Sequence, residues 1–236
     1  MDEIIELVGF GDKGWGEALL KGTIITMQIS CGGFLVGLII GLVVALAKMN
    51  GSASVKRVAK GYTTICRSVP ELLLIIMLFY GGSSTINIIG GYLGFGDVDL
   101  AGMPVAILVL GLVQGAYASE IFRGAIQSVH FGQVEASYAY GMSRVKTFWR
   151  VTLPIMAPSA LAGLGNLWVY IIKDSALISV VGTNELLYTA KQAGSSTQEY
   201  LIFFGVAALI YYVITLLSSY AFKVLERYLR RWQPTR

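Results

Sequence analysis

The chain has 236 residues, of which 55% are hydrophobic and only 14% are charged, and its formal net charge is +4. A soluble domain carries about 25% charged residues, so this composition argues against a soluble globular enzyme, and the high hydrophobicity excludes a disordered protein. Five Pro and two Cys residues exclude collagen-like and disulfide-rich secreted proteins. The composition therefore predicts a multi-spanning membrane protein.

A membrane-spanning helix needs about 20 mostly apolar residues, and five segments of the chain meet this requirement. In chain order these segments cover residues 23–47, 63–80, 101–122, 153–172 and 200–222. We therefore predict an all-α integral membrane fold with five transmembrane helices, forming a single transmembrane domain over residues 1–236.

The charged residues outside these segments predict the orientation of the chain. One set of connecting and terminal segments holds 13 basic and 2 acidic residues and consists of residues 48–62, 123–152 and 223–236. The other set holds 4 basic and 10 acidic residues and consists of residues 1–22, 81–100 and 173–199. Because Lys and Arg concentrate on the cytoplasmic side, we predict the N-terminus outside and the C-terminus in the cytoplasm. This sidedness accounts for the positive net charge without a nucleic-acid partner.

Three ionisable residues, Arg67, Glu71 and Glu120, lie inside the predicted spans, where such groups are costly and indicate functional sites. Glu71 falls about nine residues into its span, about 13 Å from the cytoplasmic boundary and close to the midplane. A carboxylate at that depth is a candidate ligand for a cationic substrate. The alternative is an intrahelical ion pair with Arg67, four residues earlier.

Other polar residues in the third and fourth spans extend the set of candidate substrate ligands. Glu120 either pairs with Arg123, three residues later on the same helix, or contacts a neighbouring subunit. The remaining alternative for Glu120 is a substrate contact or a gate role. Tyr117 offers a hydroxyl group on that helix. Asn166 in the fourth span either contacts substrate or makes an interhelical hydrogen bond.

Glycines recur at four-residue spacing in two spans, which aligns them on one helix face and lets another helix approach closely. They are Gly33, Gly37 and Gly41 in the first span, and Gly111 and Gly115 in the third. This pattern indicates helix packing, either within the subunit or at a subunit interface.

The connection between the third and fourth spans carries the most specific motif. Residues 130–148 are moderately polar and helical in pattern, and Gly141 indicates a sharp turn between two short helices. A Glu-Ala-Ser run at 135–137 is followed three residues later by Gly141 and, after nine more residues, by Val-Thr-Leu-Pro, which ends at Pro154. This spacing resembles the EAA loop of ABC importer permeases, although Ser replaces the usual second Ala and Val replaces the usual Ile.

Three further runs, at residues 67–72, 116–125 and 173–177, resemble the corresponding runs of polar amino-acid permeases. Within this family the chain is most similar to permeases for histidine, lysine and arginine, or for the arginine-derived opines octopine and nopaline. The resemblance therefore extends over nearly the whole chain and implies transport of polar, most simply basic, amino acids or opines.

The resemblance also implies a location and a set of partners. The chain is expected to be a multi-pass protein of the bacterial inner membrane and one subunit of an ATP-driven importer. Its expected partners, besides the lipid bilayer, are a second permease subunit, either a paralogue or an identical copy, two cytoplasmic ATPase subunits that bind ATP, and a periplasmic or lipid-anchored substrate-binding protein. The segment 130–148 becomes the coupling helix, with coupling roles expected for Glu135, Ala136, Gly141 and Pro154.

Individual roles follow from the same resemblance. Glu135 either pairs with a basic residue in the ATPase cleft or lies on a solvated helix face. Gly141 is expected to supply the turn, and a side chain at this position is expected to clash. Lys173 and Asp174, at the outer end of the fourth span, form a gate or a docking contact for the binding protein, or extend to the membrane interface.

The chain itself lacks the residues for nucleotide or metal chemistry. It contains no Gly-x-x-x-x-Gly-Lys-Ser/Thr loop to hold nucleotide phosphates, and its single histidine, His130, belongs to no catalytic or metal-binding pattern. We therefore expect a non-catalytic subunit without a cofactor of its own. The alternative function is an ion-gradient-driven carrier or channel subunit, indicated only by the intramembrane carboxylates Glu71 and Glu120.

Overall fold

A computed structural model describes residues 6–11, 14–92 and 102–230, and within these ranges the regular structure is helical, without strands. The helices are α1 (Gly16–Asn50), α2 (Ala53–Ser68), α3 (Glu71–Tyr92), α4 (Met103–Gln127), α5 (Phe131–Ala139), α6 (Arg144–Thr147), α7 (Leu153–Ser175), α8 (Leu186–Thr197) and α9 (Tyr200–Arg230). A π-helical turn, Phe148–Thr152, joins α6 to α7, and a 3₁₀-helix, Ala176–Val181, extends α7. The predicted all-helical fold is confirmed.

Four of the helical segments are long and apolar enough to cross a membrane. They are Gly16–Asn50, Met103–Gln127, Arg144–Val181 and Tyr200–Leu229. The bent pair Ala53–Ser68 and Glu71–Gly82 makes a fifth candidate when it is counted as one span. The number of candidate spans is therefore four or five, and the orientation of the termini stays a prediction.

The prediction of one continuous helix over 63–80 is wrong. The chain bends by 116° between α2 and α3, and Val69 at the break is extended, with φ −92° and ψ 140°. Pro70 causes the break, because its ring disfavours helical geometry at the preceding residue and it has no N–H to donate. Consequently Glu71 is the first residue of α3, whereas the sequence placed it nine residues into a helix.

The regularly spaced glycines pack α1 against α4 within the subunit. A Cβ atom at Gly37 would lie 3.4 Å from the Gly111 carbonyl oxygen and from the Gly115 nitrogen. A Cβ atom at Gly41 would lie 2.5 Å from the Cβ of Ala118, which is too close. The small residues thus allow the two backbones to approach closely, and packing within the subunit is the interpretation that the structure supports.

A buried apolar cluster joins α1, α3, α4 and α7. Its fully buried members include Ile29, Ile75, Leu110, Ile171 and Ile172. Ile75 and Leu110 each lie four residues from an acidic or amide side chain, Glu71 and Gln114 respectively, and Ile171 lies three residues from Asp174. Because residues three or four apart share a helix face, the core brings these polar side chains together.

Candidate substrate site and coupling segment

A cluster of four polar side chains lies where α3, α4 and α7 meet. Asp174 in the last turn of α7 is only 8% exposed, and the Gln114 side-chain amide donates a hydrogen bond to its Oδ2 atom. The Glu71 carboxyl group lies close enough to the Asp174 carboxyl group and to the Tyr117 hydroxyl to interact with both. We call Glu71, Gln114, Tyr117 and Asp174 the acidic cluster.

The acidic cluster is electrostatically incomplete. Two carboxylates that lie close together repel each other, and a cation between them relieves this repulsion. The Oε1 atom of Gln114 is buried and accepts no hydrogen bond from any described residue. A buried acceptor without a donor is costly, so the cluster suits a ligand that is positively charged and donates several hydrogen bonds.

Arg67 lies beside the acidic cluster without neutralising it. Its guanidinium is 5.8 Å from the centre of the Tyr117 ring, and none of the ion pairs among the described residues joins Arg67 to Glu71. The alternative of an intrahelical ion pair between Arg67 and Glu71 requires both residues on one continuous helix. The break at Val69 and Pro70 places them on two different helices.

Glu120 lies outside the acidic cluster in a complete ion-pair network. Its Oε1 atom is 2.6 Å from the Lys48 ammonium, and its Oε2 atom is 2.8 Å from Nη2 of Arg123. Lys48 also donates to the Thr63 hydroxyl, so the network connects α1, α2 and α4. Each carboxylate oxygen of Glu120 is paired with a cation, so the structure supports the ion-pairing alternative. A substrate contact for Glu120 stays an untested prediction.

Asn166 and Lys173 lie on a different surface from the acidic cluster. Both are exposed and line a cleft of about 590 Å³ between α7 and α9, where the Lys173 ammonium is 6.0 Å from the centre of the Tyr170 ring. Asp174 points to the other side of α7. The two residues that the sequence grouped as a gate or docking contact are thus separated, because successive residues of a helix differ by about 100°.

The predicted coupling segment forms a helical hairpin of α5 and α6. Gly141 follows α5 with a φ of +75°, and the chain reverses through two hydrogen bonds. The Met142 N–H donates to the Ser137 carbonyl at 3.0 Å, and the Gly141 N–H donates to the Tyr138 carbonyl at 2.9 Å. This pairing is a Schellman motif, in which the residue after the cap adopts the left-handed conformation that favours glycine.

The expected clash at Gly141 does not arise within this chain. Among the described residues, apart from its two chain neighbours, a Cβ atom at Gly141 would meet no other atom within 4 Å. The glycine is required by its left-handed backbone, since other residues adopt that conformation at a cost.

Two side-chain contacts hold the hairpin together, while its outer surface is open. The Ser137 and Thr147 hydroxyl oxygens are 2.9 Å apart and buried, and Ser143 caps α6 by accepting from the Lys146 N–H. Glu135 and Ala136 are exposed. Large apolar side chains are exposed beside them, at Phe131, Tyr138, Tyr140, Val145 and Trp149.

Pro154 is the second residue of α7, directly after the π-helical turn. Proline suits the first turn of a helix, where its missing N–H has no partner to lose. Pro158, one turn further, lies inside the helix. Only Pro158 therefore removes a hydrogen-bond donor from the helix interior, one turn after the hairpin joins α7.

Sequence reasoning missed one buried carboxyl group, Glu185, which was counted only among the charges of the segments predicted to lie outside the cytoplasm. Its side chain is 0% exposed and accepts four hydrogen bonds, from the N–H groups of Leu187 and Tyr188 and from the hydroxyls of Tyr211 and Thr26. Burial raises the pKa of Glu185, and the four hydrogen bonds oppose this effect. The available signal was its position directly before an apolar helix, where an acidic side chain caps the helix.

Comparisons with known proteins agree with this arrangement. The family described as binding-protein-dependent transport system inner membrane component matches residues 37–231. The chain belongs to this family.

Two relatives and one solved structure are similar over most of the chain. The octopine transport system permease protein OccQ of Rhizobium radiobacter is 38% identical over 222 residues, 94% of each chain. The histidine/lysine/arginine/ornithine transport system permease protein HisQ of Salmonella typhimurium is 37% identical and covers 91% of this chain and 94% of its own. The crystal structure of an amino acid ABC transporter with histidines matches with a TM-score of 0.76 at 28% identity, covering 90% of this chain and 94% of that one.

Family membership confirms the resemblance to ABC importer permeases and the multi-pass membrane character of the chain. The chain is a permease subunit of an ABC importer. Because the family is defined by transport that depends on a binding protein, the ion-gradient-driven carrier or channel is not supported.

Proposed function

We propose that this permease subunit transports cationic amino acids or arginine-derived opines and that the acidic cluster binds their cationic group. The observation that carries this proposal is the contact between the Glu71 and Asp174 carboxyl groups beside the unfilled acceptor of Gln114. A guanidinium group has five N–H donors in a plane and carries a permanent positive charge. It is therefore suited to lie between the two carboxyl groups and to donate to the amide oxygen.

The relatives support this chemistry. OccQ is described as an octopine permease, and HisQ as a permease for histidine, lysine, arginine and ornithine. These molecules all have a cationic or protonatable nitrogen at some distance from a carboxylate. Ligands of this kind match two carboxyl groups better than a neutral or anionic amino acid does.

The proposed energy source is ATP bound by two partner ATPase subunits, while this chain binds no nucleotide and catalyses no reaction. The α5–α6 hairpin docks into an ATPase cleft through its exposed apolar side chains, with Glu135 available for a basic residue of the partner. Closure of the ATPases moves the hairpin as a rigid body, and the spans alternate between outward and inward openings. Gly141 forms the turn between α5 and α6, and Pro154 lies where the hairpin joins α7.

The complete transporter is proposed to contain a second permease subunit, either an identical copy or a paralogue, and a periplasmic or lipid-anchored binding protein. The excess of basic residues in 48–62, 123–152 and 223–236 supports a cytoplasmic C-terminus in the bacterial inner membrane. The α5–α6 hairpin then lies on the cytoplasmic side, where the ATPases bind.

Uptake of radiolabelled arginine by the complete complex in proteoliposomes tests this function. Asp174→Asn and Glu71→Gln should each lower ATP-dependent uptake at least about tenfold, because each removes a charge that attracts the cation. Glu17→Gln is the matched control, since Glu17 is exposed and 2.7 Å from Lys21, away from the cluster. Uptake by both cluster variants at the rate of the unmodified complex would contradict the proposal.

A further inference from the structure

A polar cavity with an excess of basic residues adjoins the acidic cluster at Tyr117. It measures about 460 Å³, and its lining includes Lys48, Lys60, Arg67 and the ring of Tyr117. Tyr117 belongs to both sites, since its hydroxyl lies beside the Glu71 carboxyl group while its ring faces the Arg67 guanidinium. We call this space the basic cavity.

Two of the three cations in the basic cavity are available to an anion. Lys48 is already paired with Glu120 and hydrogen-bonded to Thr63. Lys60 and Arg67 are exposed, and no ion pair within the described ranges includes either of them. The hydroxyl-bearing residues Thr64 and Ser68 also line the cavity and are exposed.

Arg67 precedes Glu71 of the acidic cluster by four residues in the chain. It stands in the last turn of α2, two residues before the break at Val69 and Pro70, while Glu71 opens α3 on the other side of that break. The bend therefore directs the two charges into adjoining spaces instead of pairing them. A guanidinium group offers parallel N–H donors that match the two oxygens of a carboxylate.

We propose that Arg67 binds the carboxylate of the transported molecule while the acidic cluster holds its cationic end. This inference rests on the proposed function and gives the carboxylate that these substrates share a binding residue of its own. Lys60 and the hydroxyls of Thr64 and Ser68 add positive potential and hydrogen-bond donors around the same carboxylate. Opines, which have an additional carboxylate, meet more of these donors than an amino acid does.

Equilibrium binding to the permease–ATPase complex in nanodiscs, without the binding protein, tests the role of Arg67. The ligands are arginine and agmatine, which has the same guanidinium but no carboxylate. The unmodified complex should bind arginine at least about tenfold more tightly than agmatine, because a charge-assisted contact is added. Arg67→Gln should weaken arginine binding to the level of agmatine and leave agmatine binding unchanged.

Two further variants make this experiment specific. Arg67→Lys keeps the charge but loses the paired donors, and it should retain a smaller preference for arginine over agmatine. Arg57→Gln is the matched control, because Arg57 is exposed on the same helix and does not line the cavity. Its ratio of arginine to agmatine affinity should equal that of the unmodified complex.

The outcomes separate this inference from the proposed function. The role of Arg67 is overturned if Arg67→Gln leaves the ratio of arginine to agmatine affinity unchanged, including the case in which both affinities fall equally. If in addition Glu71→Gln weakens binding of both ligands, the acidic cluster keeps its assignment and only the carboxylate contact is wrong. Absence of arginine and agmatine binding to the unmodified complex overturns both.

Discussion

Two regions of this chain bury a carboxyl group among helices: the Glu185 site between α1, α8 and α9, and the acidic cluster around Asp174 between α3, α4 and α7. Glu185 accepts four hydrogen bonds, two of them from backbone N–H groups. Asp174 accepts from one amide and faces a second carboxyl group. The two sites have similar burial, at 0% and 8% exposed, but only the first provides each oxygen with donors.

This difference distinguishes a structural carboxyl group from one that awaits a ligand. A buried polar group with all its hydrogen bonds stabilises the fold. A buried group with missing partners destabilises the fold, and a bound ligand that supplies those partners removes this destabilisation. Glu120 is intermediate, since it is 25% exposed in its side chain and paired with two cations. The three sites therefore predict three different responses to removal of the carboxylate.

The largest effect on stability is expected for Glu185→Ala. Four buried donors from α1, α8 and α9 would lose their acceptor, which should lower the free energy of unfolding by about 3 kcal/mol. Thermal unfolding of the purified subunit in detergent measures this loss. Glu185→Gln keeps one acceptor oxygen and should lose less, so equal stability of the alanine variant and the unmodified chain would contradict a structural role.

A smaller loss is expected for Glu120→Gln. This change leaves Lys48, whose side chain is 10% exposed, with a neutral partner, and it should cost about 1 to 2 kcal/mol because Glu120 is partly solvated. The same unfolding measurement applies, with Glu199→Gln on the exposed surface as the control. A loss as large as that of Glu185→Ala would show that the network is as critical to the fold as the fully buried site.

The smallest effect is expected for Asp174→Asn, whose stability should be unchanged or higher by about 1 kcal/mol. The substitution removes the repulsion between two carboxyl groups and keeps an acceptor for Gln114. Combined with a loss of uptake, this result would identify a group that serves transport at the expense of stability. Destabilisation comparable to that of Glu185→Ala would remove the distinction between the two sites.

Several features of the fold and the site are accessible from the sequence because they depend on nearby residues. The apolar runs predict the membrane-spanning helices, and the spacing around Gly141 predicts the helical hairpin that the structure shows. The break at Val69 was also accessible, because Pro70 disfavours a helix at that residue, but the apolar run from residue 72 to 80 favoured a single span. The polar first half of α2 fell outside that apolar run and was therefore missed.

The composition and local patterns of this chain determined its helical membrane class, the position of the α5–α6 hairpin and the family to which it belongs. Only the tertiary structure decided which carboxyl groups have complete sets of partners. Gln114 reaches Asp174 across 60 residues, and Thr26 reaches Glu185 across 159. Such contacts depend on the rotation of each helix about its axis and on the packing of α1 against α4, and neither is encoded in any single local pattern.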